Sequence, residues 1–241
     1  NVNSYEWKGP EGTTHFATLL EQVAQISPLM RIRFATSHPK DISDELLRVI
    51  ARTPNLCKAI HLPVQSGSNH MLNLMNRKYS REYYLQRISA IREIIPDCSI
   101  STDIICGFCD ETEEDHRDTL SLMEQVHYDA AYMFRYSERP QTLAAERFTD
   151  NVPEEVKEHR LQEVINLQNH LSAQSNRRDI GKVFEVLIES ASKRSSDQWA
   201  GRNSQNKMVV FPKEGSKPGD YVKVRILRST SATLIGEAVP H

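Results

Sequence analysis

Apolar residues recur along this chain with two alternating spacings. Short apolar runs, typical of strands buried in a parallel sheet, are followed by segments whose apolar residues lie three or four positions apart, as on one face of a helix. The pattern predicts strands at 29–35, 58–64, 99–106 and 128–136. It predicts helices at 13–26, 42–51, 81–95, 113–126 and 154–178, with another beginning near 71–75. Strands and helices that alternate every 30 to 40 residues or so (about one βα unit) predict an α/β fold with a parallel sheet.

The pattern changes after residue 181. Short apolar segments separated by Gly, Pro, Ser and Lys predict strands at 183–189, 208–211, 221–227 and 233–238. Strands this short and this closely spaced are typical of a small antiparallel β-barrel. We therefore predict two domains, at 1–178 and 179–241, with helix 154–178 as a linker at the end of the first.

Length and composition narrow the class of protein. The chain has 241 residues, of which 39% are hydrophobic and 26% are charged. No apolar run approaches the roughly 18 residues that a membrane span needs, and nothing at the start resembles a signal peptide. We therefore expect a cytoplasmic protein without a membrane partner. The chain begins at Asn1 rather than Met, and residues 1–5 resemble the tail of a strand and its loop, so we expect a fragment.

Charge is distributed unevenly along the chain. The net charge is −2, but residues 181–241 hold ten Lys or Arg and only six Asp or Glu. A basic module on an acidic domain predicts that the tail binds a polyanion. An ordinary solvated surface is the alternative, since the excess is small.

The four cysteines do not form a secreted disulfide framework in a chain of this size. They are Cys57, Cys98, Cys106 and Cys109. Only the last two have a motif spacing, and they close an apolar run. We therefore predict buried or half-buried free thiols rather than a redox or metal site.

The stretch from residue 61 to 69 combines a strand end with a small polar loop, and a helix follows. It is His-Leu-Pro-Val-Gln-Ser-Gly-Ser-Asn, and ligands bind α/β sheets at the carboxyl ends of the strands. Gln65 and Ser66 are therefore candidate binding residues. The alternative is that they cap the next helix.

Other predicted strand ends also carry polar residues. Thr36, Ser37 and His38 follow the first strand, and His38 is either a ligand contact or a structural histidine. Asp103 lies within an apolar strand, so its carboxylate must be paired or hydrogen-bonded. It either anchors the structure or lines a cavity.

Residues 61–69, together with Met-x-Arg-x-Tyr at 75–79, resemble the radical S-adenosylmethionine (SAM) methylthiotransferases, specifically the tRNA-modifying MiaB branch. The sister branch that modifies a ribosomal protein usually has His where this chain has Ser66. The loop from Gly107 is similar to the family's Gly-Phe-Pro-Gly-Glu-Thr-Glu-Glu-Asp, but Cys109 and Asp110 replace Pro-Gly. Because Gly reaches positive φ at lower cost than Asp, this departure puts the turn in question.

Residues 135–145 resemble the family's Tyr-Ser-x-Arg-Pro-Gly-Thr-x-Ala-Ala, with Gln141 in place of Gly. Here Arg135, Tyr136 and Arg139 are candidate substrate contacts, since guanidinium groups hold carboxylate or phosphate. Surface salt bridges are the alternative.

The tail resembles the TRAM module, a small RNA-binding β-barrel. Cations, amides and aromatic rings together are the groups that contact phosphates and bases. The candidate RNA contacts are Lys193, Arg194, Arg202, Asn203, Asn206 and Lys207. Trp199 or Phe211 would stack on a base, although each aromatic ring alone is more often part of a core.

The resemblance implies an incomplete TIM-like radical SAM barrel followed by a TRAM barrel. It implies an enzyme that adds a methylthio group to carbon 2 of N6-isopentenyladenosine beside the anticodon, using SAM and two [4Fe–4S] clusters. Its partners would be the anticodon arm of tRNA and a sulfur donor system, not DNA. The SAM and substrate cavity would include Gln65, Ser66, Asp103, Gly107 and His38.

The family's Cys-x3-Cys-x2-Cys motif does not occur in this sequence. Because thiolates hold iron–sulfur clusters, we expect no metal in this chain and no activity from it alone. The alternatives are a methylthiotransferase for threonylcarbamoyl-adenosine in tRNA or for a ribosomal protein, and a non-catalytic RNA-binding fragment.

Overall fold

The computed structural model describes residues 1–10, 12–35 and 37–240. Thr36, in the first predicted strand-end segment, lies outside these residues. The helices are α1 (Phe16–Gln25), α2 (Asp44–Arg52), α3 (Asn69–Leu74), α4 (Arg81–Ile94), α5 (Glu113–Val126), α6 (Leu143–Arg147) and α7 (Glu154–Arg177). The strands are β1 (Glu6–Gly9), β2 (Gly12–His15), β3 (Ala59–His61), β4 (Ser99–Cys106), β5 (Ala130–Arg135), β6 (Val183–Ala191), β7 (Gln198–Arg202), β8 (Met208–Pro212), β9 (Tyr221–Ser229) and β10 (Leu234–Ala238).

The predicted parallel sheet is confirmed, in the order β3-β4-β5. Helices cover one face of it, and an apolar core lies between them. The described residues of the predicted strand 29–35 do not form a regular strand. Ile32 makes only an isolated parallel bridge with Leu56. The side chains of Arg31 and Arg33 are instead paired with Glu185 and Glu189 of the second domain.

Helix boundaries follow local capping signals. Ser43, Ser80 and Thr112 each accept a hydrogen bond from a backbone N–H in the first turn of α2, α4 and α5. The bounds of α5 are those predicted, and α4 ends one residue earlier than predicted.

The prediction for the first 26 residues is partly wrong. The predicted helix begins three residues later, at Phe16, because Thr13 and Thr14 pair with Lys8 and Trp7 in a β-hairpin. β-Branched threonines suit a strand better than a helix. Residues 2–4 form a 3₁₀ turn rather than the tail of a strand.

Helix α7 ends one residue earlier than predicted and has a more polar inner face than predicted. Val164 and Leu171 are buried, and so are the polar side chains of Gln168 and Ser172. Gln168 donates to the carbonyl of Tyr128, and Ser172 donates to that of Asp129. Hydrogen bonds to carbonyls at the start of β5 therefore allow polar residues to be buried here.

The tail forms a closed five-stranded barrel in the order β10-β8-β7-β6-β9. Its neighbours are antiparallel except β8 and β10, which run parallel. The sequence pattern missed β7, because Gly201 and polar residues interrupt its apolar run. Phe211 is fully buried in the barrel core, so it does not serve as a stacking surface.

The barrel lies against the beginnings of the sheet strands. Ser204 accepts a hydrogen bond from the backbone of Lys58, and Gln205 donates to the carbonyl of Asp97. Asn176 of α7 donates to the carbonyls of Thr230 and Ser231. We call the contacts of loops 203–207 and 230–233 with the first domain the interdomain contact. Among the described residues, no helix is both long and apolar enough to span a membrane.

Candidate functional site

The face of the sheet that the helices leave open is polar and aromatic. Along β4, buried residues alternate with half-buried ones, so that Ile100, Thr102 and Ile104 face the helices. Ser101 and Asp103 face the other way. We call this side the concave face.

Three polar side chains on the concave face are hydrogen-bonded to one another. His61 Nδ1 lies 3.0 Å from Ser101 Oγ, and its Nε2 lies 3.3 Å from Asp103 Oδ1. The edge of the His61 ring also contacts Tyr132, with ring centroids 5.6 Å apart. The structure therefore places Asp103 on the open side of the sheet, with a defined partner.

Sequence reasoning did not select His61, Ser101 or Tyr132. The available signal was the alternation Ser-Ile-Ser-Thr-Asp-Ile at 99–104, since period-two polarity marks one face of a strand. The isoleucines of this segment favoured a strand buried on both faces, so this alternation was overlooked.

Gln65 and Gly107 lie at the carboxyl ends of neighbouring strands. Gln65 has φ 72° and exchanges backbone hydrogen bonds with β4, since its N–H donates to the backbone carbonyl of Asp103 and its own carbonyl accepts from the Ile105 N–H. Gly107 has φ 75°, and the side chain of Lys157 occupies the space where a Cβ would be. Gln65 and Gly107 thus lie at the same edge of the sheet, and the backbone of Gln65 pairs with that of Asp103.

Glu111 explains the shape of the loop after Gly107. Its Oε2 accepts from the Gly107 N–H at 2.8 Å and from Arg160 Nη1 at 2.9 Å. Burial raises the pKa of Glu111, and these two partners oppose that shift. The buried pair ties the loop to α7.

His38 lies beside the end of β3. Its ring contacts Tyr79 edge-on at 5.4 Å, and the Tyr79 hydroxyl donates to the carbonyls of Pro63 and Val64. Its Nδ1 accepts from the Lys40 N–H, and burial lowers its pKa. His38 therefore has a structural capping role at the same edge of the sheet as Gln65.

Ser66 points away from the concave face. It is fully buried, its Oγ lies 3.2 Å from Thr119 Oγ1 of α5, and it accepts from the Ser68 N–H. The cap of α3 is Ser68 rather than Gln65 or Ser66. Ser66 thus supports its own loop by contacting α5, and its side chain does not face the concave face.

Gly67 allows the loop to touch α5. A Cβ there would lie 2.5 Å from the Asp118 carbonyl oxygen and 2.6 Å from Thr119 Cα. We expect Gly67→Ala to lower the free energy of unfolding by about 2 kcal/mol, because two backbones must separate. Urea unfolding followed by circular dichroism would measure this. Gly215→Ala meets no neighbouring atom, but its φ of 65° should itself cost about 1 kcal/mol. A loss from Gly67→Ala no larger than the loss from Gly215→Ala would contradict the close-contact explanation.

Asp115 links the loop that follows β3 to the loop that follows β4. Its carboxylate accepts from Ser68 Oγ, from the N–H and hydroxyl of Thr112 at 2.9 and 2.7 Å, and lies 3.1 Å from His70 Nδ1. Burial alone would raise the pKa of Asp115, but these hydrogen bonds lower it to about 2. One buried carboxylate thus caps α5 and holds the cap of α3.

The three candidate substrate contacts do not come together on the concave face. Arg135 lies on the helix side, where its Nη1 is 3.1 Å from Glu154 Oε2. The Tyr136 ring packs edge-on against Phe108 at 4.8 Å, and burial raises the pKa of its hydroxyl to about 12. Arg139 and Arg135 are both exposed, and Tyr136 is half-buried.

The two turns in which glycine is replaced keep positive φ. Asp110 has φ 63° and Gln141 has φ 65°. Asp110 is supported by Asn151, whose side chain accepts from its N–H at 2.9 Å and donates to its carboxylate at 2.5 Å. The turn geometry is therefore retained without glycine.

The cysteines do not fit an iron–sulfur cluster. Burial raises the pKa of Cys106 to about 12 and also raises that of Cys109, which favours the thiol over the thiolate that binds iron. Within 1–10, 12–35 and 37–240, no three His, Cys, Asp or Glu side chains are placed to hold a metal ion.

The predicted RNA contacts fall into two groups at opposite ends of the barrel. Lys207 is in the interdomain contact, where its Nζ lies 2.7 Å from Asp179 Oδ2 and 3.4 Å from Asp129 Oδ1. Arg202 donates to the carbonyl of Asn206 and lies 3.5 Å from Glu189. Both cations therefore already have partners within the chain.

The two amides in this loop differ in exposure. Asn203 is fully buried, and its side chain accepts from the Lys207 N–H at 2.9 Å, so it shapes the loop. Asn206 is exposed and has φ 62°.

Lys193 and Arg194 are exposed in the loop between β6 and β7. Strands alternate in direction, so this loop lies at the barrel end away from loop 203–207. Trp199 and Lys213 flank it, with the Lys213 Nζ 4.2 Å from the Trp199 ring centroid. This cationic and aromatic group is free of the interdomain contact.

A cleft of about 790 Å³ lies between the concave face and the barrel. His61, Ser101 and Tyr132 line one wall, and Gln205 and Asn206 line the other.

Two regions of the chain match known family models. Residues 9–123 match the Radical SAM superfamily, and residues 177–239 match the TRAM domain. Among solved structures, the chain resembles coproporphyrinogen III oxidase (HemN) from Escherichia coli, described as a radical SAM enzyme. The TM-score is 0.49 at 18% identity, covering 69% of this chain and 45% of that one.

Relatives named tRNA-2-methylthio-N(6)-dimethylallyladenosine synthase align with nearly the whole chain. Those from Phocaeicola vulgatus and Parabacteroides distasonis are 59% and 60% identical, each over 99% of this chain and 52% of the relative. The Bacteroides thetaiotaomicron relative is 60% identical over 99% of this chain and 53% of its own length. The chain thus spans about half the length of these relatives. It contains a region that matches the Radical SAM superfamily and a region that matches the TRAM domain, and it is similar over nearly its whole length to these relatives.

Proposed function

We propose that this chain is part of a tRNA methylthiotransferase that adds a methylthio group to carbon 2 of N6-isopentenyladenosine next to the anticodon. The observation that carries the proposal is the 59–60% identity, over 99% of the chain, to relatives whose name states this product. The Radical SAM and TRAM regions support it, because one suits radical chemistry and the other suits RNA binding.

The concave face and the adjoining strand ends are the proposed SAM and substrate side. SAM would supply the methyl group and the radical that activates the base carbon. The chemistry of the residues fits, since the Asp103 carboxylate can accept hydrogen bonds from the amino and hydroxyl groups that SAM carries. His61 holds this carboxylate in place through its Nε2. Gln65 would present its side-chain amide, and Gly107 would let the backbone turn at the same edge.

The two [4Fe–4S] clusters of the proposed activity do not fit the cysteines described above. We propose that another part of the intact protein binds them, so that this chain contributes cavity wall and RNA contacts. The remaining partners that we propose are the anticodon arm of tRNA and a sulfur donor system, in the cytoplasm.

A chimeric enzyme tests the activity. We expect the Phocaeicola vulgatus relative to keep producing 2-methylthio-N6-isopentenyladenosine when this chain replaces its aligned half, since 59% of the aligned residues are identical. Mass spectrometry of tRNA nucleosides from a strain lacking the enzyme would detect the product. A folded chimera that instead modifies threonylcarbamoyl-adenosine or a ribosomal protein would contradict the proposal.

The exposed end of the barrel is the proposed phosphate contact. We expect Lys193→Gln with Arg194→Gln to reduce the slope of log affinity against log salt by about 1.4, because each lost phosphate contact removes about 0.7 on single-stranded RNA. Fluorescence anisotropy with an anticodon stem-loop between 50 and 200 mM salt, roughly the range where such slopes are measured, would give both slopes.

Lys223→Gln with Arg225→Gln provides a control of equal charge change. These two residues are exposed on β9, where Glu185 lies opposite Lys223 and Glu237 lies opposite Arg225. We expect a smaller change in slope from this pair. An equal change would show that RNA binding depends only on the total charge of the barrel.

A further inference from the structure

The barrel segment 202–207, between β7 and β8, contacts the strands of the parallel sheet one after another where those strands begin. In chain order, the four contacts are Arg202 with Arg31, Ser204 with Lys58, Gln205 with Asp97, and Lys207 with Asp129. The sheet order is β3-β4-β5, and segment 31–33 bridges to the residues that precede β3. One short segment therefore crosses the beginnings of all these strands in their spatial order.

The length of segment 202–207 matches the spacing of the strands. Neighbouring strands lie about 4.8 Å apart, so segment 31–33 and β5 are separated by about 14 Å. Five residue steps of extended chain span about 17 Å, which is enough to cross this distance. Segment 202–207 thus reaches every strand while the strands keep their regular spacing, and it would lose a contact if they spread apart.

Two of the four contacts bind backbone groups at the beginnings of β3 and β4. Ser204 Oγ accepts from the Lys58 N–H at 3.1 Å, and Gln205 Nε2 donates to the Asp97 carbonyl at 2.7 Å. The carbonyl of Lys58 in turn accepts from the Ser99 N–H of β4 at 2.9 Å. Because hydrogen bonds to the backbone fix where a strand begins, these contacts set the stagger of β3 against β4.

Arg31 anchors the other edge of the sheet to the barrel. Its side chain is 8% exposed, and it donates to the carbonyls of Arg202 and Glu185 at 2.6 and 3.3 Å. The guanidinium lies 4.9 Å from the centroid of the Tyr221 ring, and the Tyr221 hydroxyl donates to the Leu29 carbonyl at 2.9 Å. A buried guanidinium needs such partners, so the segment before β3 is held on the barrel.

We propose that the barrel has a second role besides the proposed RNA contact: segment 202–207 sets the spacing and stagger of the sheet strands. Ser204 and Gln205 are then positioning residues, since they act through the strand beginnings that they bind. Their effect reaches the concave face, because His61 lies on β3 and its partner Asp103 lies on β4. This positioning role is independent of the proposed reaction.

Amide hydrogen exchange of the full chain tests this role. The variant is Ser204→Ala with Gln205→Glu, because glutamate keeps the size of glutamine but cannot donate to a carbonyl. We expect the amides of Ser99 and Asp129, which donate to the neighbouring strand at the strand beginnings, to exchange about tenfold faster. The Tyr136 amide donates to β4 at the other end of the strands, so its exchange should change less than about twofold.

A spectroscopic measurement separates positioning from general stability. The NMR signals of the His61 ring nitrogens report its contacts with Ser101 and Asp103 in the folded chain. We expect these signals to shift in the double variant. Ser204→Thr keeps the hydroxyl group, so it should leave both the signals and the exchange rates at their wild-type values.

Ser196→Ala with Gln162→Glu is the matched control, since it makes the same chemical changes at two exposed positions and should leave both readouts unchanged. An equal rise in exchange at Ser99, Asp129 and Tyr136 would show only a loss of global stability and would overturn the positioning role. Unchanged exchange together with weaker binding of an anticodon stem-loop would assign segment 202–207 to RNA contact alone and would also overturn it.

Discussion

Replacing Asp115 with alanine is expected to lower the free energy of unfolding by about 3 kcal/mol. The substitution leaves Ser68 Oγ and the Thr112 N–H without their acceptor in a buried site, and a lost hydrogen bond to a charged group costs about 1.5–3 kcal/mol. Because this carboxylate links the caps of α3 and α5, the loop from Gln65 to Ser68 should loosen as well. Urea unfolding and amide hydrogen exchange of residues 65–69 would measure the two effects.

The same carboxylate predicts an acid dependence. The pKa of Asp115 is about 2 in the folded chain, below its ordinary value near 4, so its contribution to stability is complete above about pH 4. That contribution, about 2 kcal/mol, should disappear as the pH falls from about 4 to 2.

Glu114→Ala is the control for Asp115. Glu114 carries the same charge in the same helical turn but is exposed, so its loss should cost about 0.5 kcal/mol through the helix dipole alone. If Asp115→Ala cost no more than Glu114→Ala, or kept the acid dependence of the wild type, the carboxylate would not link the two caps.

Replacing Lys207 with methionine is expected to cost about 3 kcal/mol, because it leaves Asp179 buried without its closest cation. The side chains of Lys207 and Asp179 are 11% and 4% exposed, and breaking one side of a buried pair costs about 3–5 kcal/mol. The loss should concentrate at the interdomain contact. Hydrogen exchange of residues 203–207 should therefore rise, while exchange in the barrel core stays slow.

Lys182→Met tests whether the loss of stability in Lys207→Met comes from burial of the ion pair or from the loss of one positive charge beside Asp179. Lys182 also pairs with Asp179, at 3.0 Å, but its side chain is 51% exposed, so we expect a cost below about 1 kcal/mol. Lys207→Met should weaken RNA binding by loosening the interdomain contact without changing the salt slope. A slope reduced as much as by the Lys193 and Arg194 substitutions would show that Lys207 contacts phosphate directly.

The sequence predicted most of the α/β elements closely, because their signals are local. The Thr112 cap and the acidic first turn of α5 lie within four residues of one another, and the Ser80 cap likewise begins α4. The β1–β2 hairpin was missed because Thr13 and Thr14 stabilise a strand only when a facing strand is present to pair with them. Strand β7 was missed for a similar reason, as its neighbours in the closed barrel complete its pairing.

The candidate site was predicted less completely. Placing Gln65, Asp103 and Gly107 at one edge required only the rule that parallel strands end together. Which side chains face the cavity depends on contacts between residues far apart in sequence. Ser66 turned out to face Thr119, 53 positions away, and Arg135 turned out to face α7.

The sequence by itself determined the alternation of the three sheet strands with helices, the change of period near residue 181 and the resemblance to radical SAM and TRAM proteins. Those features depend on residues that are close together along the chain and on contiguous sequence motifs. Only the tertiary structure decided that Lys207 belongs to the interdomain contact and that His61 joins Asp103 on the concave face. A charged or polar side chain acquires its role from the partner that folding brings within about 3 Å, and local sequence does not name that partner.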